Sequence, residues 1–161
     1  MFYSIVMTTN IWLNQIMEGI PAFLGVYSSD NIITPVSFPS YCIVNFSPEN
    51  VLGTHFIAII YDANNSCIYY DPLNLAYIPE NIVNHIKSTC KHMVTVRYAI
   101  QNPLSIYCGF FCLLIILIHL NNLPLLPTLQ KYFTPKCIIN DIKCISVICK
   151  RFEVYFLSVM I

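Results

Sequence analysis

Four residues of types that carry thiol chemistry stand in the order His55, Asp71, Gln101, Cys108. A cysteine nucleophile needs a neighbouring base to take its proton, a third group to orient that base, and donors to meet the oxyanion formed on the attacked carbonyl. Histidine, a carboxylate and a side-chain amide are the residue types that fill those three roles. Each has a plainer reading. A cysteine at the start of an apolar helix is more often a small core residue, an aspartate before a proline is an ordinary turn residue, and a lone histidine or glutamine carries little information. Their placement at the ends of predicted elements raises the catalytic reading.

The element that must bring His55 and Asp71 together is "HFIAIIYDANNSCIYYD". Two apolar, β-branched or aromatic runs, His55 to Tyr61 and Cys67 to Asp71, flank Asp62-Ala63-Asn64-Asn65-Ser66, which is a hairpin signal. A turn centred on Asn64 pairs residues whose numbers sum to about 128, returning Asp71 to within a residue or two of His55. Cys108 opens the apolar run that Asn121-Asn122 and Pro124 close, so its thiol is expected at a helix N-terminus, where unpaired N–H groups and the helix dipole favour thiolate. Gln101, seven residues earlier in an Asn-Pro loop, is placed to set its amide beside the Cys108 backbone N–H.

The remaining elements follow from periodicity. Residues 10–18 predict a short helix, with Asn10 as its cap and Gly19 as its stop. A loop-rich segment leads to the strand "CIVNF". Glu80 to about Thr89 has helical spacing at Ile82, Val83 and Ile86, and "MVTVRYAI", Met93 to Ile100, predicts a strand. Ile142, Ile145, Ile148 and Phe152 suggest a last amphipathic helix capped by Asn140 or Asp141. This order predicts an α+β fold: a small mixed sheet with a central buried helix that carries the cysteine. Residues 1–161 are expected to form one domain.

Composition bears on the alternatives. Hydrophobic residues make up 57% of the 161 and charged residues 10%, with mean hydropathy +0.64. The chain is therefore more apolar than an ordinary soluble domain. Outside the N-terminal region the longest uninterrupted apolar run is Phe110 to Ile118, less than half of the roughly 20 residues that span a bilayer. Met1 to Val6 is apolar, but it has neither a basic lead nor a small-residue cleavage site, so no signal peptide and no secretion are expected. The eight basic and eight acidic residues balance, which gives no footprint for nucleic acid. The eight cysteines are expected as free thiols, and their spacing with histidine fits no zinc site, so no metal is expected.

Taken together, "GTHFIAIIYDANNSCIYYDP" and "QNPLSIYCGFFC" resemble the adenovirus-type cysteine protease, adenain, and its relatives in virus-like transposons of the Polinton/Maverick kind. Gly53, His55, Asp71, Gln101, Pro103, Ser105, Cys108, Gly109, Phe111 and Cys112 fit the family pattern. With "FLGVYSSD" and "CIVN" upstream, the resemblance runs from about residue 20 to residue 120. It implies His55 as general base and acid, Asp71 as its partner, Cys108 as nucleophile and Gln101 as oxyanion donor. It further implies Phe56 and Gly109 as substrate-side residues, a thioester mechanism, and maturation of viral structural precursors at Gly-containing sites. A monomer located in the virion, or in the nucleus or cytoplasm of a host cell, goes with this reading.

The adenoviral enzymes are stimulated by DNA and by a short peptide joined through a disulfide. Cys90, eleven residues before Gln101, stands where they carry the peptide-linked cysteine, whereas zero net charge argues against DNA as an activator. Deconjugating proteases for ubiquitin-like modifiers share the His/Asp/Gln/Cys order. Their glutamine-to-cysteine spacing is typically one residue shorter, commonly with aspartate before the cysteine. Here the spacing is seven and the preceding residue is Tyr107, which favours the adenoviral side. Phe56 replaces the usual tryptophan after the histidine, and Asp71 replaces the glutamate of the mammalian adenoviral enzymes.

Overall fold

The computed structural model describes residues 9–63 and 65–152. The two runs flanking the asparagine turn form β3 (Phe56–Asp62) and β4 (Ser66–Tyr70). They pair antiparallel, with Ala58 opposite Tyr70 and Asp62 opposite Ser66. This is the register expected from the sequence; the turn's central residue, Asn64, lies outside the described residues, as does the apolar start Met1 to Val6. On the other side of β3 runs β2 (Ser40–Asn45), also antiparallel, with Asn45 opposite Phe56. All of β2 and all but the last residue of β3 are buried. Strands covered on both faces call for apolar residues in succession rather than in alternation, which explains why "CIV" and "FIAIIY" show no polar period.

Two edge strands complete the sheet in the order β1-β2-β3-β4-β5. β1 (Phe23–Ser28) runs parallel to β2, in a segment whose sequence reads as loop. Its residues are all half-buried, and the ladder shifts register between Phe23 and Gly25. Gly25 sits there at φ 139°, a conformation that suits glycine. An irregular edge strand of this kind leaves no alternating pattern to read. β5 (His92–Thr95) runs parallel to β4 and is shorter than the expected Met93 to Ile100. Beyond it the chain leaves the sheet for the helical layer: Tyr98 Oη donates to the Phe133 carbonyl (3.0 Å), and the Ala99 carbonyl accepts from Lys136 N–H (3.0 Å).

One face of the sheet carries α3 (Cys108–Leu120), buried continuously from Cys108 to Ile118. It packs on Ile43, Ala58 and Ile60 and is enclosed by α1 (Asn10–Met17), α4 (Leu125–Tyr132) and α5 (Ile139–Phe152). Full burial of a leucine or isoleucine contributes about 1.5–3 kcal/mol, so an all-round apolar helix is stable at the centre of a fold without amphipathic character. The opposite face is covered by α2 (Glu80–Thr89), whose Ile82 and Ile86 meet Val44, Ile57, Ile59 and Tyr69. The result is an α+β fold built on a mixed five-stranded sheet. None of the described helices is long and apolar enough to cross a membrane.

Three local expectations change. α1 is capped by Thr9, whose Oγ1 accepts from Trp12 N–H (3.1 Å), and not by Asn10. α4 was not expected, because Pro124 and Pro127 mark its start; prolines are tolerated before and within a first turn, where N–H groups have no helical partner. α5 turns Asn140, Asp141, Cys144 and Ile148 inward and leaves Ile142 64% exposed. Its first turn is thus a buried polar contact instead of the solvent cap suggested by the sequence.

Candidate active site

The hairpin places His55 immediately before β3 and Asp71 immediately after β4. His55 Nε2 donates to Asp71 Oδ1 at 2.7 Å, with the two residues 7% and 2% exposed. The carboxylate is fixed from behind, since Oδ1 also accepts from Leu73 N–H (2.8 Å) and Oδ2 from Leu75 N–H (2.9 Å). A carboxylate tied to two backbone donors cannot swing away from the imidazole, so it holds that ring in one orientation.

The approach to His55 is equally constrained. Asn45 Oδ1 accepts from Ser47 N–H (2.9 Å) and Thr54 N–H (3.3 Å). Its Nδ2 then faces Gly53, where a Cβ atom would come within 2.2 Å of it. This close approach is the physical reason for glycine two residues before the histidine. The Phe46 ring stands edge-on to the imidazole, with centroids 5.0 Å apart and planes at 86°. Phe46 N–H also donates to the His55 carbonyl (2.9 Å).

Cys108 is the first residue of α3 and is 8% exposed. Phe110 and Phe111 N–H both donate to the Tyr107 carbonyl (2.9 and 3.2 Å), closing the first turn. The first N–H groups of a helix have no acceptor within it, so those of Cys108 and Gly109 point out of the helix start. The thiol lies close enough to the His55 side chain to raise the imidazole pKa. With Nε2 committed to Asp71, Nδ1 is the nitrogen left for sulfur. Burial pulls the imidazole toward its neutral form, but the Asp71 bond and the Cys108 contact outweigh it, and the His55 pKa rises from 6.5 to about 9.

Gln101 is 1% exposed and is laced to the far end of the hairpin, its backbone N–H donating to the Pro72 carbonyl (3.2 Å). Its Nε2 donates to the Ser105 carbonyl (2.8 Å), while Oε1 is buried without a partner. Gly109 is buried as the second residue of α3. A groove of about 500 Å³ opens beside the histidine, lined in part by Asn45, Ser47, Leu52, Gly53 and Phe56.

The structure thus brings His55, Asp71 and Cys108 together at the ends of three elements. A buried imidazole held by a carboxylate on one nitrogen and facing a thiol with the other is an arrangement competent for nucleophilic attack by sulfur.

Phe56 and Cys90 are both largely buried. Phe56 points into the core beneath α3 and reaches the groove, whereas the ring against His55 belongs to Phe46, at the end of the "CIVNF" run. The signal for Phe46 was the β2/β3 pairing, which sets that run beside the start of β3. Cys90 is 7% exposed and packs against Cys67 in the same core cluster. A peptide thiol reaches Cys90 only if this contact opens. All eight cysteines are free. Among the described residues no cluster of histidine, cysteine and carboxylate groups could hold a metal.

No protein-family model matches the chain, and no curated protein matches its sequence. Solved structures do. The ASFV protease is similar at TM-score 0.50 and 14% identity, over 74% of this chain and 44% of that one. ChlaDub1 from Chlamydia trachomatis is similar at TM-score 0.48 and 16% identity, over 74% of this chain and 63% of that one. The match spans less than two thirds of either neighbour. The fold is that of the cysteine proteases of the adenain and ubiquitin-like-protease type.

Proposed function

We propose that the chain is a cysteine endopeptidase that cuts structural precursor proteins of a virus or virus-like element at Gly-containing sites. The observation that carries this reading is the 2.7 Å His55–Asp71 bond together with the Cys108 thiol on the same imidazole. Cys108 Sγ attacks the scissile carbonyl with its proton held on His55. The resulting oxyanion lies against the Cys108 N–H and the Gln101 amide. A primary amide carries two N–H donors; the Ser105 carbonyl takes one from Gln101 and the second remains for the substrate.

Collapse of the intermediate breaks the C–N bond, and His55 gives its proton to the departing amine. A thioester on Cys108 remains. Water, deprotonated by His55, then releases the acid and restores the thiol. Gly109 offers no side chain where the substrate backbone passes, and Phe56 walls the groove that receives it. Precursor cleavage is preferred over deconjugation because of the seven-residue spacing from Gln101 to Cys108 and Tyr107 before the cysteine.

The test is the pH dependence of kcat/KM on a fluorogenic capsid-precursor peptide containing Gly-Gly. The reaction needs an imidazolium to protonate the amine, so kcat/KM is expected to fall as pH rises through about 9. The stability linkage has the same window. A folded pKa raised above the unfolded 6.5 gives a contribution that is complete below 6.5 and lost through about 9. Absence of cleavage at every pH would sink the peptidase reading in favour of a silent precursor-binding relative. Cleavage of a ubiquitin-like fusion but not of the peptide would replace it with the deconjugating one.

A further inference from the structure

The Gln101 to Tyr107 loop carries the amide assigned above to the oxyanion, yet it belongs to no strand or helix. Its anchor comes from the first turn of α5, nearly forty residues on, in a part of the chain outside the resemblance. Asn140 is fully buried, and its Nδ2 donates to the Ile100 carbonyl (2.7 Å), directly before Gln101, and to the Thr134 carbonyl. Asn140 Oδ1 accepts from Thr134 N–H (3.3 Å). Its amide is therefore fully engaged and held in one orientation.

Asp141, 6% exposed, faces the same loop from the next position, where the Ser105 hydroxyl and the Asn102 N–H favour its charged form. Ser105 is the hub of the arrangement. Its hydroxyl oxygen accepts from Tyr107 N–H (3.2 Å), which leaves its own proton for Asp141. Its carbonyl accepts from Gln101 Nε2 (2.8 Å). One serine thus joins the α5 carboxylate to the Gln101 amide on one side and to the residue capping α3 on the other.

Asp141 is poorly explained as a folding device. Its Oδ1 is buried without a partner, and burial raises its pKa above the ordinary range. An incompletely satisfied buried carboxylate costs stability relative to an apolar residue of similar size. Holding a site in place is what such a group offers in return.

We infer that Asn140 and Asp141 are positioning residues: through Ser105 they fix the direction of the Gln101 amide and the entry of Tyr107 into α3. This deepens the peptidase reading and rests on it for its catalytic consequence. Misplacing a catalytic donor by about 1 Å costs up to about 100-fold in rate.

The experiment compares wild type, Asp141→Ala and Asp141→Asn in the full chain, with a Gly-Gly-aminomethylcoumarin peptide as probe. Amide hydrogen exchange at Asn102 and Tyr107 is measured in parallel. Asp141→Ala is expected to lower kcat about 10- to 100-fold with KM within about twofold, and to speed exchange at both amides. Asp141→Asn, which keeps an acceptor oxygen facing Ser105 and Asn102, is expected to recover most of the lost turnover.

Wild-type kcat in Asp141→Ala, a loss confined to KM, or an asparagine variant as poor as alanine overturns the assignment. If the wild type itself does not cleave the probe, the peptidase reading is what has failed. The exchange measurement still decides the anchor: unchanged exchange in Asp141→Ala refutes it.

Discussion

Cys108→Ala is expected to abolish peptide cleavage, by on the order of 10⁶-fold in kcat, while leaving the fold intact. The sulfur sits at a helix start, in a site 8% exposed, and its removal takes away one atom with no buried polar partner except the His55 ring. The imidazole reports the change directly. Burial pulls its pKa down, and two contacts, Asp71 and Cys108, push it up to about 9. With the thiol gone, burial is opposed by Asp71 alone. The NMR titration of the His55 ring in Cys108→Ala is therefore expected to move down from about 9. An unmoved titration would mean that the sulfur does not share the imidazole proton.

Asp71→Asn is expected to cost about 10⁴-fold in kcat, because the replacement no longer holds the imidazole in the required tautomer. The surroundings make this substitution harsher than its size suggests. Asp71 Oδ1 receives His55 Nε2–H and Leu73 N–H, and Oδ2 receives Leu75 N–H. Asparagine must put its NH₂ at one of those two places. At the Oδ1 place it opposes two donors, including the histidine; at the Oδ2 place it opposes Leu75. Either choice leaves a backbone donor of this part-buried turn unpaired, at a cost of up to about 1–3 kcal/mol. The urea midpoint is therefore expected to drop along with the rate. Glutamate, by contrast, would keep the charge but push the carboxylate into the Leu73–Leu75 turn.

The parts of the fold legible in the sequence are those whose signal is local. The hairpin register follows from two apolar runs around an asparagine-rich turn. It fixes the His55–Asp71 pairing because the residues flanking paired strands lie side by side. α3 was legible because an uninterrupted apolar run bounded by Asn-Pro and Asn-Asn has few other solutions. What was hidden depends on contacts distant in sequence. β1 is a strand because β2 supplies its ladder, and the bulge at Gly25 breaks its pattern. Phe46 becomes the ring against the imidazole only through the β2/β3 pairing.

The first turn of α5 shows the same limit more sharply. Asn140 and Asp141 have the composition of a cap, and the sequence reads them as one. Their partners are Ile100, Asn102 and Ser105, in a loop whose position only the tertiary fold defines. Four apolar residues on α5 predicted its buried stripe, yet the two polar side chains, by bonding inward, turn Ile142 to solvent.

The central claim is that Cys108 is an activated thiol, and brief alkylation with iodoacetamide at pH 7, followed by peptide mapping, tests it most directly. Exposure and chemistry predict different outcomes in this chain. Cys137 and Cys149 are the half-exposed cysteines, whereas Cys108 is buried. Burial pushes the thiols of Cys42 and Cys67 up to about 12, and those of Cys112 and Cys144 well above their ordinary value. Activation by His55 predicts that Cys108 is carboxamidomethylated first, ahead of both half-exposed thiols. Modification of Cys137 or Cys149 first, with Cys108 untouched, would contradict it.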